Sequence, residues 1–494
     1  MSIHRSPARR PLRAAAVALA ALPVLAAAAC GGRLTADDVR RASVVTSTQL
    51  VVAPLQQATS QGPTTAPSAG APATSGSNGG TAPVVNGGSS AVGGPLPSTG
   101  TAPASQTTTT ASNGTAKPTA AAATGLTTKE SGPIYIGSVG TDSGPTGSSA
   151  VGGTHALQVW AAMVNARGGI AGRQIKIYSE DDGGSPQTYA ADLQDLVENK
   201  HVVAFVYNAA GLTEPGGRSY LEKSGVPLIG MDCAVSSYYT SPDYFPQCPK
   251  AEPKTFTEMF NAEKELVGHV KVGFVYCTEA TACTSEVDPF TQGAAAAGVQ
   301  VVYKAGISLA QVDFTANCQA AQRAGADVFA VLADANTVKR VATSCSRQHY
   351  APQFIQPSVS VTGDILSTPD MANVIVVGET FPFAGVTGNA AISEFNQAMS
   401  TYDPNEIIGP PESLGWAAAK LFEWTATTAA AKSHSITPQT LIAALRTMKN
   451  NTLGGLTVPL DFTASLPNPQ TCTFINQGVN GKWAAPFGAT ARCS

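Results

Sequence analysis

Small polar residues directly after an apolar run are the first place where this chain could do chemistry. Ser143, Thr146 and Ser148 follow the apolar run 134–139 and precede a helical stretch. Hydroxyls and unhindered backbone N–H groups at the start of a helix can bind a polar or anionic group. The same residue types also form ordinary turns and helix caps. The pattern therefore indicates either a ligand contact or a helix start.

Similar polar positions follow later strand-like runs. They are Asn208, Ala209, Ala210, Gly211 and Thr213 after the third run, Asp232 after the fourth, and Tyr276, Thr278, Asp334, Asn336 and Ser358 in the second half of the chain. Ligands of α/β proteins bind outside the carboxyl ends of parallel strands. We therefore expect these residues to line a binding site, although Asp232 could equally be a surface acid.

Catalytic and cofactor motifs are not found. There is no Walker A loop, no HExxH and no G-x-S-x-G elbow, and the six histidines are scattered singly. The glycines at 137 and 140 lack dinucleotide-binding spacing. The sequence therefore predicts no catalytic residues, no cofactor and no metal site. A secreted hydrolase would require a triad that the sequence does not show.

The elements that must position these residues alternate between strand and helix. Strands are predicted at 134–139, 174–179, 202–206, 227–230, 270–276, 300–307, 328–332, 353–356 and 374–379, with helices between them. Continuous apolar strands separated by helices predict an α/β fold with parallel sheets covered on both faces. Residues 133–494, about 360 in number, are too many for one small core and favour two lobes.

The N-terminus predicts export. A basic segment with Arg5, Arg9, Arg10 and Arg13 is followed by the apolar run 14–29 and then by Cys30. Small residues before the cysteine resemble a bacterial lipobox, so we expect residues 1–30 to be a lipoprotein signal with lipidation at Cys30. The alternative is an ordinary secretory signal with an Ala-x-Ala cleavage site. Residues 31–131 are rich in Thr, Ser, Ala, Gly and Pro and predict a disordered tether.

Cysteine usage and charge indicate the compartment and exclude one class of partner. Eight cysteines remain after Cys30, and they fall in neighbouring pairs: Cys233 and Cys248, Cys277 and Cys283, Cys318 and Cys345, Cys472 and Cys493. Sequential pairing is the simplest of 105 possible connectivities and predicts four disulfides in an oxidising compartment. The net charge is −3 and no basic stripe occurs, so a nucleic acid partner is not expected.

Several motifs carry a resemblance to a known family. They are Ile-Gly-x-x-Gly-x-x-Ser-Gly-Pro at 136–145, the Asn…Gly-Gly-Ile-x-Gly-Arg block at 165–173, Glu-Asp-Asp at 180–182 and Lys-Ser-Gly-Val-Pro-Leu-Ile at 223–229. The strand at 272–276 and the strand entry at 324–328 continue the pattern. In this order the chain resembles type I periplasmic binding proteins of the branched-chain amino-acid (Leu/Ile/Val) receptor family.

The resemblance implies two doubly wound parallel-sheet lobes joined by a hinge within residues 132–494. Lobe 1 would comprise about 132–255 and 382–430, and lobe 2 about 256–381 and 431–494. In the family, the loop corresponding to 208–213 binds a ligand carboxylate, and loops of the second lobe present an aromatic ring and an acid. Here the loop after Ile355 offers Gln356, Pro357 and Ser358 without an acid. We therefore expect a ligand other than an ordinary amino acid.

The sequence thus predicts an exported receptor without enzymatic activity, anchored by lipid to the outer face of the cytoplasmic membrane. It would act as a monomer, capture a small polar or amphipathic molecule (amino-acid-like or amide-like) and deliver it to an ABC permease. The alternative is a ligand-sensing or envelope-associated protein on the same scaffold without a permease.

Overall fold

The computed structural model describes residues 132–144, 147–248, 253–467 and 471–493. These residues belong to one compact unit. The expected signal segment, Cys30, the tether at 31–131 and Thr146 lie outside the described residues, as does the side chain of Ser148.

The first lobe is built on a five-stranded parallel sheet with the strand order β2-β1-β3-β4-β5. Its strands are β1 (Ile134–Gly140), β2 (Ile175–Asp181), β3 (Ala204–Asn208), β4 (Leu228–Met231) and β5 (Tyr244–Phe245). The helices α1 (Val151–Ala166), α2 (Pro186–Glu198) and α3 (Glu214–Ser224) alternate with them. All residues of β3 and β4 are buried, as expected for parallel strands with covered faces.

The second lobe contains a seven-stranded sheet with the order β12-β11-β10-β9-β8-β6-β7. Its strands are β6 (Lys271–Cys277), β7 (Gln300–Ile307), β8 (Val328–Leu332), β9 (Gln353–Pro357), β10 (Ile375–Gly378), β11 (Phe474–Val479) and β12 (Lys482–Ala484). Its helices are α4 (Pro253–Leu266), α5 (Thr281–Thr284), α6 (Val287–Ala296), α7 (Thr315–Arg323) and α8 (Ala335–Ser346). The strands from β6 to β10 are parallel, whereas β11 and β12 pair antiparallel. The expected α/β architecture of parallel-dominated sheets is confirmed.

The chain returns to the first lobe after β10. Helices α9 (Ala390–Tyr402) and α10 (Pro410–Ser433) pack against α1, and α11 (Pro438–Leu445) packs against α10. Leu441 and Phe462 belong to the same buried cluster as Trp160 and Trp416. The sequence-based boundary placed 431–494 in the second lobe. The structure instead packs residues 438–462 into the first, because the apolar face of α11 is buried on α10, and only β11 and β12 join the second sheet.

Four disulfides are present, and they join the cysteines in the sequential order that the spacing predicts. Cys277–Cys283 fastens the end of β6 to α5, and the fully buried Cys318–Cys345 joins α7 to α8. Within the described ranges, no helix has both the length and the apolar character that crossing a bilayer requires.

Candidate functional site

A cavity of about 160 Å³ lies between the two lobes, at the carboxyl ends of their parallel strands. Thr141, Ala209 and Asp232 line it from the ends of β1, β3 and β4 in the first lobe. Cys277, Ala333, Pro357 and Glu379 line it from the ends of β6, β8, β9 and β10 in the second lobe. This is the place where the topology of parallel α/β sheets favours a ligand.

Most of the cavity wall is apolar. Larger side chains in the wall are Tyr207, Leu212, Phe256, Leu309, Leu332, Val359, Val377 and Leu414, and the Cys277–Cys283 disulfide also contributes. Burial of apolar surface contributes about 25 cal/mol per Å² of area removed from water. Such a wall therefore favours a ligand with an apolar body.

Tyr207 is a wall residue that the sequence analysis did not identify. Its φ is 57°, a left-handed conformation that is uncommon for a bulky residue and recurs at functional sites. Its hydroxyl donates a hydrogen bond to the carbonyl oxygen of Ala150 at 3.2 Å. A Cβ atom on Gly153 of α1 would lie 2.0 Å from Cζ of the ring. A glycine at 153, within the first turn of a helix, was a signal for a ring packed there.

The two predicted acids, Asp232 and Asp334, line the cavity, but their carboxylate oxygens accept hydrogen bonds from backbone N–H groups. Asp232 accepts hydrogen bonds from the N–H groups of Gly211 at 2.9 Å and Ala234 at 3.0 Å. Burial raises the pKa of Asp232. Asp334 caps α8 by accepting hydrogen bonds from the N–H groups of Asn336 and Thr337. Both acids therefore shape loops of the wall.

A third acid, Glu379, directly follows β10 and was not among the predicted site residues. Ser358 donates a hydrogen bond to Oε2 of Glu379. The loop after β9 has no acid of its own, and Glu379 at the end of the neighbouring strand β10 lies next to it. Burial, together with the negative charge of Glu286, raises the pKa of Glu379 to about 8. In the sequence, Glu379 is the last residue of the predicted strand 374–379. An acid that terminates a continuous apolar run was the available signal.

Three predicted residues after the third strand lie outside the cavity. Asn208 is fully buried, where its Oδ1 accepts a hydrogen bond from the N–H of Val139 and its Nδ2 donates to the Tyr189 hydroxyl. Thr213 donates to a carboxylate oxygen of Asp182, and Ala210 packs in the core with Tyr189. Because β3 extends to residue 208, beyond the predicted end at 206, Asn208 belongs to the strand and faces away from the cavity.

The described residues among the remaining predictions, which are Ser143, Tyr276, Thr278, Asn336 and Ser358, also lie outside the wall. Ser143 is exposed, and its backbone N–H donates to Oδ1 of Asp181. Thr278 is exposed and donates to the carbonyl oxygen of Ile307, whereas Tyr276 lies within β6 and packs on Phe274. Twelve of the fourteen predicted ligand residues have described side chains, and the structure brings four of these to the cavity: Ala209, Gly211, Asp232 and Asp334.

The two lobes touch beside the cavity. Oγ of Ser149 in the first lobe accepts a hydrogen bond from the N–H of Ala335, the first residue of α8, at 3.0 Å. Where the chain crosses from β10 towards α10, the hydroxyls of Thr380 and Ser413 lie 3.0 Å apart. The two lobes are therefore in direct contact beside the cavity.

One group of potential metal ligands occurs among the described residues, and it lies outside the cavity wall. His155, Asp403 and Glu406 present ligating atoms within 4.8 Å of one another. Nδ1 of His155 already lies 2.8 Å from Oε2 of Glu406, so the group forms an ion pair when the histidine is protonated.

Comparison with solved structures shows a shared fold. A fatty acid ABC transporter substrate-binding protein from Thermomonospora curvata has 19% identity and a TM-score of 0.62, covering 73% of this chain and 92% of its own. A branched-chain amino acid ABC transporter protein from Thermus thermophilus with bound valine has 16% identity and a TM-score of 0.64, with coverage of 73% and 97%. A solute binding protein from R. palustris in complex with benzoate has 15% identity and a TM-score of 0.60, with coverage of 73% and 98%.

No curated protein sequence matches the chain significantly. The family model described as periplasmic binding protein matches residues 133–482, which is more than half of the chain and includes the strands from β1 to β11. Proteins of this family are extracytoplasmic solute-binding receptors, in agreement with a cavity between two lobes. The chain therefore belongs to the periplasmic binding protein family.

Proposed function

We propose that the protein captures a small, largely apolar solute between its lobes and delivers it, without chemical change, to an ABC importer. It does so as a monomer held at the outer face of the cytoplasmic membrane by a lipid on Cys30, with residues 31–131 as the tether. The observation that supports solute capture is the apolar cavity at the carboxyl ends of strands from both sheets.

The position of the cavity supports capture by closure. A solute there contacts Tyr207 and Leu212 of the first lobe and Phe256 and Val377 of the second. Only the closed arrangement offers both sets of contacts, so the solute stabilises that arrangement by its difference in affinity for the two states. The importer would then recognise the closed form.

The volume of the cavity limits the size of the solute. An engineered apolar cavity of about 150 Å³ in another protein binds benzene. The cavity of about 160 Å³ is therefore suited to a compact molecule with a ring or a short branched chain.

Thermal unfolding of the full chain in detergent, measured against a panel of small amphipathic molecules, tests the proposal. A solute that binds only the native state stabilises it by RT ln(1 + [L]/Kd), so a true ligand raises Tm in a dose-dependent way. Ala282 lines the cavity and is half-buried, so Ala282→Trp should fill the cavity and abolish the shift. Ala295 is exposed on α6, and Ala295→Trp is the matched control that should retain the shift.

Uptake of the identified solute by cells tests delivery. Deletion of the gene should abolish uptake, and the Ala295→Trp variant should restore it whereas Ala282→Trp should not. If Ala282→Trp shows the same Tm shift as the unmodified chain, the solute binds outside the cavity and the proposal is wrong. If binding is confirmed but deletion leaves uptake unchanged, delivery to an importer is wrong.

A further inference from the structure

Glu379 lies where its carboxyl group can determine which solutes bind, according to their charge and polarity. It directly follows β10 and lines the cavity together with the apolar residues Pro357, Val359 and Val377. Ser358 donates a hydrogen bond to one carboxyl oxygen, Oε2. The carboxyl group is thereby held in a fixed position within a largely apolar wall.

The charges around the cavity are unfavourable for a second negative charge. The described residues of the wall include the carboxyl groups of Asp232, Glu286, Asp334 and Glu379, and they include no Lys, Arg or His. An ionised carboxylate in an apolar site has a large desolvation cost, and neighbouring carboxylates add repulsion. Protonation of Glu379 removes both costs.

We infer that Glu379, as a carboxylic acid, donates a hydrogen bond to an oxygen acceptor of an uncharged solute. The receptor then selects neutral, largely apolar molecules over the corresponding anions and cations. This inference rests on the proposed function, because it names the class of solute that the same cavity accepts.

The other titratable groups near β10 do not change the assignment of Glu379 as a hydrogen-bond donor. Helix α4, which packs on β10, carries Lys254, Glu258, Glu263, Lys264 and Glu265. Arg492 pairs with Glu258 at 3.3 Å and with Glu265 at 3.1 Å. The neighbouring strands β9 and β11 and the turn Ser358–Ser360 contain no titratable side chain.

The pKa of Glu379 agrees with the role of its carboxyl group as a hydrogen-bond donor. Burial raises its pKa to about 8, and the charge of Glu286 acts in the same direction. At neutral pH the carboxyl group is therefore mostly protonated and able to donate. Above about pH 8 it ionises, and the hydrogen bond to a neutral acceptor is lost.

The same surroundings of Glu379 disfavour both anionic and cationic solutes. An anionic solute would be repelled by the negative charge of the other carboxyl groups of the wall, which belong to Asp232, Glu286 and Asp334. A cationic solute would require ionisation of Glu379 and desolvation of both charges, a cost that a single pair in an apolar site seldom recovers. A neutral acceptor incurs neither cost.

Three probes of similar size and different charge test the inference: benzamide (neutral), benzoate (anion) and benzylamine (cation). Binding to the full chain in detergent is measured by calorimetry at pH 6.5 and pH 9. We expect benzamide to bind at least tenfold more tightly than benzoate and benzylamine at pH 6.5. We also expect its affinity to fall about fivefold to tenfold between pH 6.5 and pH 9, because Glu379 ionises and the hydrogen bond is lost.

Variants of Glu379 separate hydrogen bonding from charge. Glu379→Gln retains a donor, so benzamide affinity at pH 6.5 should stay within about threefold and its pH dependence should disappear. Glu379→Leu removes the donor and should lower benzamide affinity about fivefold to tenfold, as expected for one hydrogen bond. Glu265→Gln, an exposed acid outside the cavity wall, is the control that should behave like the unmodified chain.

The outcomes separate this inference from the proposed function. Preference for benzylamine, with loss of binding in Glu379→Gln, would show that Glu379 acts as a carboxylate and would overturn the inference. Preference for benzoate would overturn it too. If none of the three probes binds while another solute gives a Tm shift that Ala282→Trp abolishes, the solute class is wrong and the receptor function stands. If no solute gives a shift, the proposed function itself fails.

Discussion

Tyr207 and Asn208 are consecutive residues at the end of β3, and they have opposite roles. The left-handed conformation of Tyr207 interrupts the regular alternation of the strand, so its ring lies in the same buried cluster as Val206 and reaches the cavity. Asn208 faces the core on the other side of the sheet, against Tyr189. The polar side chain that suggested a ligand contact in the sequence is thus a buried group that completes the backbone pairing of its neighbours.

Substitution of Asn208 by Ala should mainly reduce stability. Oδ1 of Asn208 is the acceptor for the buried N–H of Val139, and its loss leaves that donor without a partner. A buried donor without a partner costs about 1–3 kcal/mol in the free energy of unfolding. We expect urea unfolding of Asn208→Ala to show this loss, while the affinity for an identified solute changes less than twofold.

Asp232→Ala is the comparison variant at the cavity wall. Its carboxylate holds the N–H groups of Gly211 and Ala234, which both line the cavity. Affinity should therefore fall in this variant, because the loops lose their fixed position. Reduced affinity together with unchanged stability in Asn208→Ala would contradict the assigned roles.

At the scale of elements, the crossing of α1 and α10 is closely packed because glycines face each other there. A Cβ atom on Gly415 would lie 2.0 Å from the carbonyl oxygen of Gly153. A Cβ atom on Gly153 would meet the Tyr207 ring at a similar distance. The two helices and the end of β3 are therefore fitted to one another, and the position of the cavity wall depends on this contact.

Gly153→Ala should consequently reduce both stability and solute affinity. The added methyl group must displace the Tyr207 ring, and overpacking of this kind costs about 1–3 kcal/mol. Displacement towards the cavity narrows the space for the solute. Val164→Ala, at another buried position of α1, is the matched control, because it loses stability by leaving a void without contacting Tyr207.

The measurement compares Tm and affinity in the two α1 variants. Both variants should lower Tm by several degrees, and only Gly153→Ala should also weaken solute binding. Equal affinities in the two variants would show that the contact between Gly153 and Tyr207 does not determine the shape of the cavity.

The sequence predicted these elements better than it predicted the directions of their side chains. Alternation of apolar runs with helices indicated the parallel sheets, and cysteine spacing indicated the four disulfides. Strands buried on both faces show no alternation of polar and apolar residues, so the face of Asn208 could not be read from the pattern. The strand β11 was missed because it pairs with β10 across about a hundred residues of chain, and β12 pairs only with β11.

At the scale of the whole molecule, the segment after β10 connects the cavity to the hinge. Glu379 lines the cavity, Thr380 pairs its hydroxyl with Ser413 of α10, and Phe381 lies in the core of the first lobe. These three consecutive residues thus contact, in order, the solute site, helix α10 at the crossing between the lobes, and the core of the first lobe. A solute held at Glu379 is therefore bound close to the point about which the lobes would move.

Several carboxyl groups of the folded protein have a pKa above the ordinary value, and this predicts how stability depends on pH. Burial raises the pKa to about 8 for Glu379, about 8 for Glu412, about 7 for Glu263 and about 6 for Asp142. Between the ordinary pKa and the raised one, the folded state binds more protons than the unfolded state. The free energy of unfolding therefore decreases as pH rises through this window.

We expect Tm to be highest near pH 4.5 to 5 and to fall by several degrees towards pH 8.5. Each of these groups can contribute at most about 1.4 kcal/mol per pH unit within its own window. Acids with a lowered pKa, such as Asp181 and Glu394, act in the opposite direction but only below their ordinary pKa, so they limit stability at more acidic pH.

Calorimetry of the full chain in detergent from pH 5 to pH 9 measures the profile, and Glu379→Gln should make its alkaline slope shallower. A Tm that is constant or rises between pH 5.5 and pH 8.5 would mean that these carboxyl groups ionise without cost in the folded protein, and the acid form of Glu379 would then lose its physical basis.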